Sequence, residues 1–93
     1  MAALVIWEQT ATTDRDKLDT YRKNVYATLV RYGGKVLCVG APTAVEGAVS
    51  AERIVVIEFE NLSVAHAWYG SAEYAAVKAL RHEGAQGNLI FVG

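Results

Sequence analysis

One carboxylate stands inside the most apolar stretch of the chain: Glu58, in Arg53-Ile54-Val55-Val56-Ile57-Glu58-Phe59. An ionised carboxylate among β-branched residues is costly unless it is paired or hydrogen-bonded. A Glu kept there is a candidate general acid or base; its plainer reading is a strand-end carboxylate that meets an arginine or reaches water. Arg53 opens the same stretch, where a guanidinium could hold an anionic substrate group in a bidentate fork. Tyr74, Val77 and Arg81 follow one another at steps of three and four. That spacing leaves Arg81 half-buried and in want of a carboxylate, and a pair within the protein is expected for it. His66 falls at the edge of a helical face formed by Leu62, Ala65 and Tyr69. An imidazole there suits acid–base work or haem ligation, or simply packs at the surface. Trp7, Trp68, Tyr69 and Tyr74 have the large rings and polar tips of pocket walls, and equally of a core.

Other chemistries are excluded by what is missing. No GxSxG, GxGxxG or phosphate-binding glycine loop occurs. His66, His82 and the single cysteine, Cys38, do not stand at metal-ligand spacing, so neither a metal nor a cofactor is expected. Cys38 lies in an apolar run and is expected to be a small buried hydrophobe. Nine Lys+Arg against ten Asp+Glu give a net charge of -1, which offers no basic field to nucleic acid or to an anionic membrane. No run approaches the ~18 apolar residues of a membrane span. The opening residues lack the basic segment and apolar length of a signal peptide, so a cytoplasmic protein is expected.

The elements that must position these side chains follow from periodicity. Ala3 to Glu8 reads as a strand. From Asp14 to Tyr32, Leu18, Tyr21, Val25, Leu29 and Tyr32 recur at helical steps, with Thr13 as the expected N-cap and Gly33-Gly34 as the stop. Lys35 to Ala41 is a second strand, the segment from Pro42 to Glu52 a long hairpin loop, and Arg53 to Glu60 the third strand. Asn61 caps a helix from Leu62 to about Tyr69. Gly70-Ser71 interrupts it, and Ser71 recaps a stretch to about Glu83. Gly84 to Gly87 closes that helix, and Asn88 to Val92 is the last strand. Ninety-three residues make one domain over 1–93.

The order βαββαβ with right-handed crossovers predicts an α+β, ferredoxin-like sandwich: a four-stranded antiparallel sheet with two helices on one face. Both faces of its strands are greasy. Leu4 and Ile6 alternate with Ala3, Val5 and Trp7, and Ile54 and Val56 with Val55 and Ile57. A sheet wet on one side should alternate polar with apolar, and 53% apolar residues is high for a chain this small. A second copy covering the bare face, giving a homodimer, is therefore expected.

Tyr32-Gly33-Gly34, Glu46-Gly47, Arg53 to Phe59, Ala67-Trp68-Tyr69, Ser71, Glu73-Tyr74 and Arg81 together resemble the domain-of-unknown-function family 1330, in the dimeric α+β barrel superfamily. The resemblance spans essentially the whole chain. It implies two protomers packed sheet to sheet, each with a pocket between sheet and helices. The chain departs from the family at Val39, where an arginine is usual, and at Glu60, where a proline is usual. The wider superfamily includes cofactor-independent monooxygenases, isomerases, polyketide cyclases and haem-degrading enzymes. Its antibiotic-biosynthesis branch pairs a third-strand Glu with a second-helix His; Glu58 matches the first, while the register puts Trp68 or Tyr69 rather than His66 near the second. Two functions stay open. One is a cofactor-independent enzyme of isomerase, cyclase or monooxygenase type. It would use Glu58 and His66 as catalytic groups and Arg53, Trp7, Trp68, Tyr69 and Arg81 to bind a small apolar or anionic organic ligand. The other is a non-catalytic dimeric module that binds a small ligand or serves as a structural unit.

Overall fold

The computed structural model describes residues 2–93. Four strands, β1 (Ala3–Thr12), β2 (Lys35–Gly40), β3 (Arg53–Phe59) and β4 (Ala85–Val92), alternate with helices α1 (Arg15–Arg31), α2 (Leu62–Tyr69) and α3 (Ala72–Gly84). The sheet runs β2-β3-β1-β4 with every neighbour antiparallel. This is the expected ferredoxin-like order. The sheet of one chain is open, so a closed barrel needs a second copy.

The described residues form three helices. The Gly70-Ser71 interruption is a full double cap: Ser71 Oγ donates to Trp68 O at 2.7 Å and accepts from Tyr74 N at 3.1 Å. One hydroxyl thus ends α2 and starts α3. At α1 the cap is Asp14, whose carboxylate accepts from Lys17 N at 3.2 Å. Thr13, the expected cap, is drawn off to the end of α3, its Oγ1 donating to Glu83 O at 2.8 Å and its N–H to Gly84 O at 2.9 Å. The helix ends meet at Gly84, where a Cβ would come within 2.8 Å of Leu18 N.

Two strands outrun their expected limits. β1 continues through a bulge between Gln9 and Ala11 to Thr12, and β4 starts at Ala85, directly after α3. Gly87 is consequently a strand residue rather than a breaker. A Cβ there would strike the Glu8 carbonyl and stand 2.7 Å from the Trp7 ring, so its missing side chain permits close approach to β1.

The pairing register resolves the two faces. On the helix side, Phe91, Val5, Ile57 and Val36 form one row across the sheet, and Leu89, Trp7, Val55 and Val39 the next. Val5, Ile57 and Phe59 pack there with Leu29, Ala65, Trp68 and Tyr74 as the main core. The Trp68 indole donates to Thr28 Oγ1 at 3.0 Å, which satisfies its polar edge. On the other side the middle row is Ile90, Ile6, Val56 and Cys38, flanked by Val92, Leu4, Glu58 and Lys35. Among the described residues no element covers this face. Ile90 and Val92 are exposed, and so is Cys38, against the expectation of burial. Its row is apolar but the chain itself supplies no second layer.

Candidate active site

The helices do not sit evenly on the sheet. α2 packs on β1, β3 and β4, whereas α1 packs chiefly against α3. Beneath α1 a gap remains over the β1–β3 part of the sheet, a cavity of about 230 Å³. Its floor is Trp7, Val55, Ile57 and Leu89, its roof Leu18, Tyr21, Val25 and Leu29 from α1, and Trp68 closes one side. Val36 and Val39 of edge strand β2 also line it and are 39% and 45% exposed. Val39, where the resemblance implies an arginine, is thus a cavity wall.

The charged groups lining this cavity are Arg22, Arg53 and Arg81, with no carboxylate. Glu52 does not line it: it accepts from Gln9 Nε2 at 3.1 Å and Thr12 Oγ1 at 3.2 Å, and lines a neighbouring groove with Arg22 and Arg53. Gln9, itself buried, accepts from the Trp7 indole at 3.4 Å, so its amide ties floor to rim. Arg22 reaches Asp19 at 3.7 Å. Burial, followed by the charge of Arg53, draws the Arg22 guanidinium below its usual range, with Asp19 and Glu52 opposing. Arg53 has no ion-pair partner among the described residues.

Arg81 is the most unusual member. It is 4% exposed and has no carboxylate within ion-pair distance among the described residues. This corrects the expected intraprotein pair. Its guanidinium instead lies 4.5 Å from the centroid of the Trp7 ring, a cation–π contact. Nη2 is 3.2 Å from His82 Nε2, and Nε finds no partner. Burial first, then Arg81 and Lys78, hold His82 below its ordinary value; a neutral ring leaves Nε2 able to accept. Beside Arg81 on the roof, Tyr21 Oη lies 2.9 Å from Tyr74 Oη. Burial, then Tyr74, pushes the Tyr21 phenol well above its usual value, with Arg81 opposing.

Of the residues singled out in the sequence, the cavity gathers Trp7, Arg53, Trp68 and Arg81. Tyr69 lies next door, in a shallower depression shared with Trp7, Arg81 and His82. Glu58 is elsewhere. Its register partners are Leu4 and Lys35, on the face away from the helices, and it lines a separate groove with Lys35 and Glu60. His66 is exposed on α2, its ring centroid 4.7 Å from that of Phe91. Sequence reasoning passed over Gln9, Tyr21 and Arg22. Gln9 had a signal, since it continues the inward alternation of Ala3, Val5 and Trp7. Tyr21 and Arg22 read as ordinary members of a helix stripe and its polar flank, and nothing local showed that α1 stands off the sheet.

Among the described residues no group of three or more His, Cys, Asp or Glu could hold a metal ion, and no helix is long and apolar enough to cross a membrane. The family profile named Domain of unknown function (DUF1330) matches residues 2–93. Among curated proteins, none matches the chain. Solved structures share its fold at low identity. A protein of unknown function from Rhodopseudomonas palustris is 13% identical with a TM-score of 0.75, over 98% of this chain and 81% of that one. SnoaB, a cofactor-independent oxygenase from Streptomyces nogalater, is 4% identical with a TM-score of 0.71, over 99% and 91%. A dimeric protein of unknown function and ferredoxin-like fold from Bacteroides fragilis is 12% identical with a TM-score of 0.61, over 97% and 92%.

Proposed function

The chain belongs to the DUF1330 family, and we propose that it is a homodimeric, cofactor-independent small-molecule enzyme of isomerase, cyclase or monooxygenase type, working in the cavity beneath α1. The observation that carries this reading is the one-signed charge of an otherwise apolar cavity: Arg22, Arg53 and Arg81 with no acid among its lining residues. The repulsion among them, strongest at the buried Arg81 and eased at Arg22 by Asp19, is relieved when an anion joins them. A small organic anion with an apolar body meets both demands, and Trp7, Trp68 and Arg53 would be its wall and clamp. The oxygenase SnoaB, which has the same fold, supports the type of chemistry. Glu58 and His66 lie outside the cavity and take no part in this reading.

A second reading has an observation of its own. No carboxylate or imidazole lines the cavity, which favours a non-catalytic binding module. Incubating the protein with a panel of small aromatic and unsaturated acids, with and without oxygen, and analysing products by mass spectrometry separates the two. Turnover that falls with Arg53→Ala supports the enzyme, and saturable binding without product supports the module. Absence of any binding removes both.

The dimer rests on the face opposite the cavity. Ile90, Ile6, Val56 and Cys38 form a continuous apolar row that a second copy of the same sheet would cover, and the Bacteroides fragilis neighbour is described as dimeric. Sedimentation of the purified protein at micromolar concentration tests it, a single-subunit mass being the adverse result.

A further inference from the structure

Arg81 is a buried guanidinium without a counter-ion. A guanidinium carries five N–H donors, and the side-chain groups that meet them are neutral: His82 Nε2 and the Tyr21 hydroxyl. Burying a charge is tolerated when it is paired and hydrogen-bonded. Here the missing partner must come from outside the chain, and Arg81 lines the cavity through which it would come.

A second donor converges on the same wall. Tyr74 is wholly buried, and its hydroxyl has Tyr21 Oη as its hydrogen-bond partner. Either phenol can donate in that bond; when Tyr74 donates, the Tyr21 proton is free to meet a ligand, and Tyr21 lines the cavity with Arg81. A charged donor and a neutral one facing a single apolar space is the arrangement that stabilises an ionised oxygen.

Size limits what carries that oxygen. A dry apolar cavity of about 150 Å³ takes benzene, so about 230 Å³ has room for one ring with a short substituent. Resting on the reading of the cavity as a small-anion site, we propose that Arg81 and Tyr21 form an oxyanion-binding pair that holds a single-ring ligand, either as a carboxylate or as an ionised phenol or enol. In the second case binding drives an acid dissociation: the ligand O–H bond breaks, the electron pair stays on oxygen beside Arg81, and the proton leaves to water. The resulting anion is the electron-rich form in which such rings isomerise or meet an electrophile.

Two probes distinguish the sources. Benzoate, followed by calorimetry, reports carboxylate binding. 4-Nitrophenol reports ionisation directly, through the absorbance of its phenolate. Should the pair act on phenols, the bound dye titrates about one pH unit or more below the free dye, with most of that shift lost in Arg81→Met and part of it in Tyr21→Phe. Should it act on carboxylates, benzoate affinity falls about tenfold in Arg81→Met. Arg81→Lys, which keeps the charge and loses the planar fork, covers the event that the methionine variant does not fold. Binding of both probes unaltered by all three substitutions overturns the pair while leaving the cavity as a ligand site. Failure of wild type to bind either probe overturns the cavity reading itself.

Discussion

The two faces of this sheet are built from interleaved residues of the same strands and yet differ in almost every physical respect. On the helix side, Val5, Trp7, Val55 and Ile57 are roofed, partly by the aromatic cluster of Trp68 and Tyr74 and partly by a hollow rimmed with arginines. On the other side, Leu4, Ile6, Ile54 and Val56 are left without a covering layer. The period-two geometry of a strand makes this separation absolute, because neighbouring side chains point to opposite faces. Ile57 and Glu58 are adjacent in sequence, yet one meets the cavity and the other does not. The chain thus keeps ligand chemistry and assembly on opposite sides of one layer, and substitutions should separate them.

The largest effect is expected where the helix side is solid. Trp68, 1% exposed, stacks on Tyr74 at a centroid distance of 4.1 Å. Trp68→Ala should cost about 3–5 kcal/mol, read as a lowered urea midpoint by circular dichroism. Next is the bare face: Ile6→Lys places an unpaired charge in the apolar row and should weaken self-association at least about a hundredfold. The folded protomer survives that change, so sedimentation shifts while the circular dichroism spectrum does not. A third, smaller effect belongs to the rim, where Arg53→Ala should weaken benzoate binding about tenfold by calorimetry. Glu58→Gln should leave that binding unchanged, and a loss equal to that of Arg53→Ala would break the division between the faces.

The smallest effect is one of pH. In the folded chain burial, then Arg81 and Lys78, make the His82 ring reluctant to take a proton. The unfolded chain binds one more readily as pH falls through the ordinary value of 6.5. The unfolded state then holds more protons, so stability is full above that value and declines on acidification. Urea midpoints measured from pH 7.5 to 5.5 should show a fall that His82→Gln reduces.

The layer order, both caps at Asn61 and Ser71, and the oiliness of two sheet faces were legible in the sequence because each depends on local pattern. What was not legible depends on distance between elements. Glu58 looked chemical for being a carboxylate in an apolar strand, but which face is roofed decides its surroundings, and its own strand does not carry that information. Arg81 looked like half of an intraprotein pair. Its lack of a carboxylate shows only when α1, α3 and the sheet are assembled. Tyr21 gains meaning from Tyr74, fifty-three residues away, and Gly87 from the Trp7 ring lying across β1.

The division between a chemical face and an assembly face can be read in one experiment, a methyl-resolved NMR titration with benzoate. The methyl groups of Val55 and Leu89, on the cavity floor, should shift in a saturable manner while those of Ile6 and Val56 stay in place. Saturable shifts confined to Ile6 and Val56, or none at any of the four, would contradict the account.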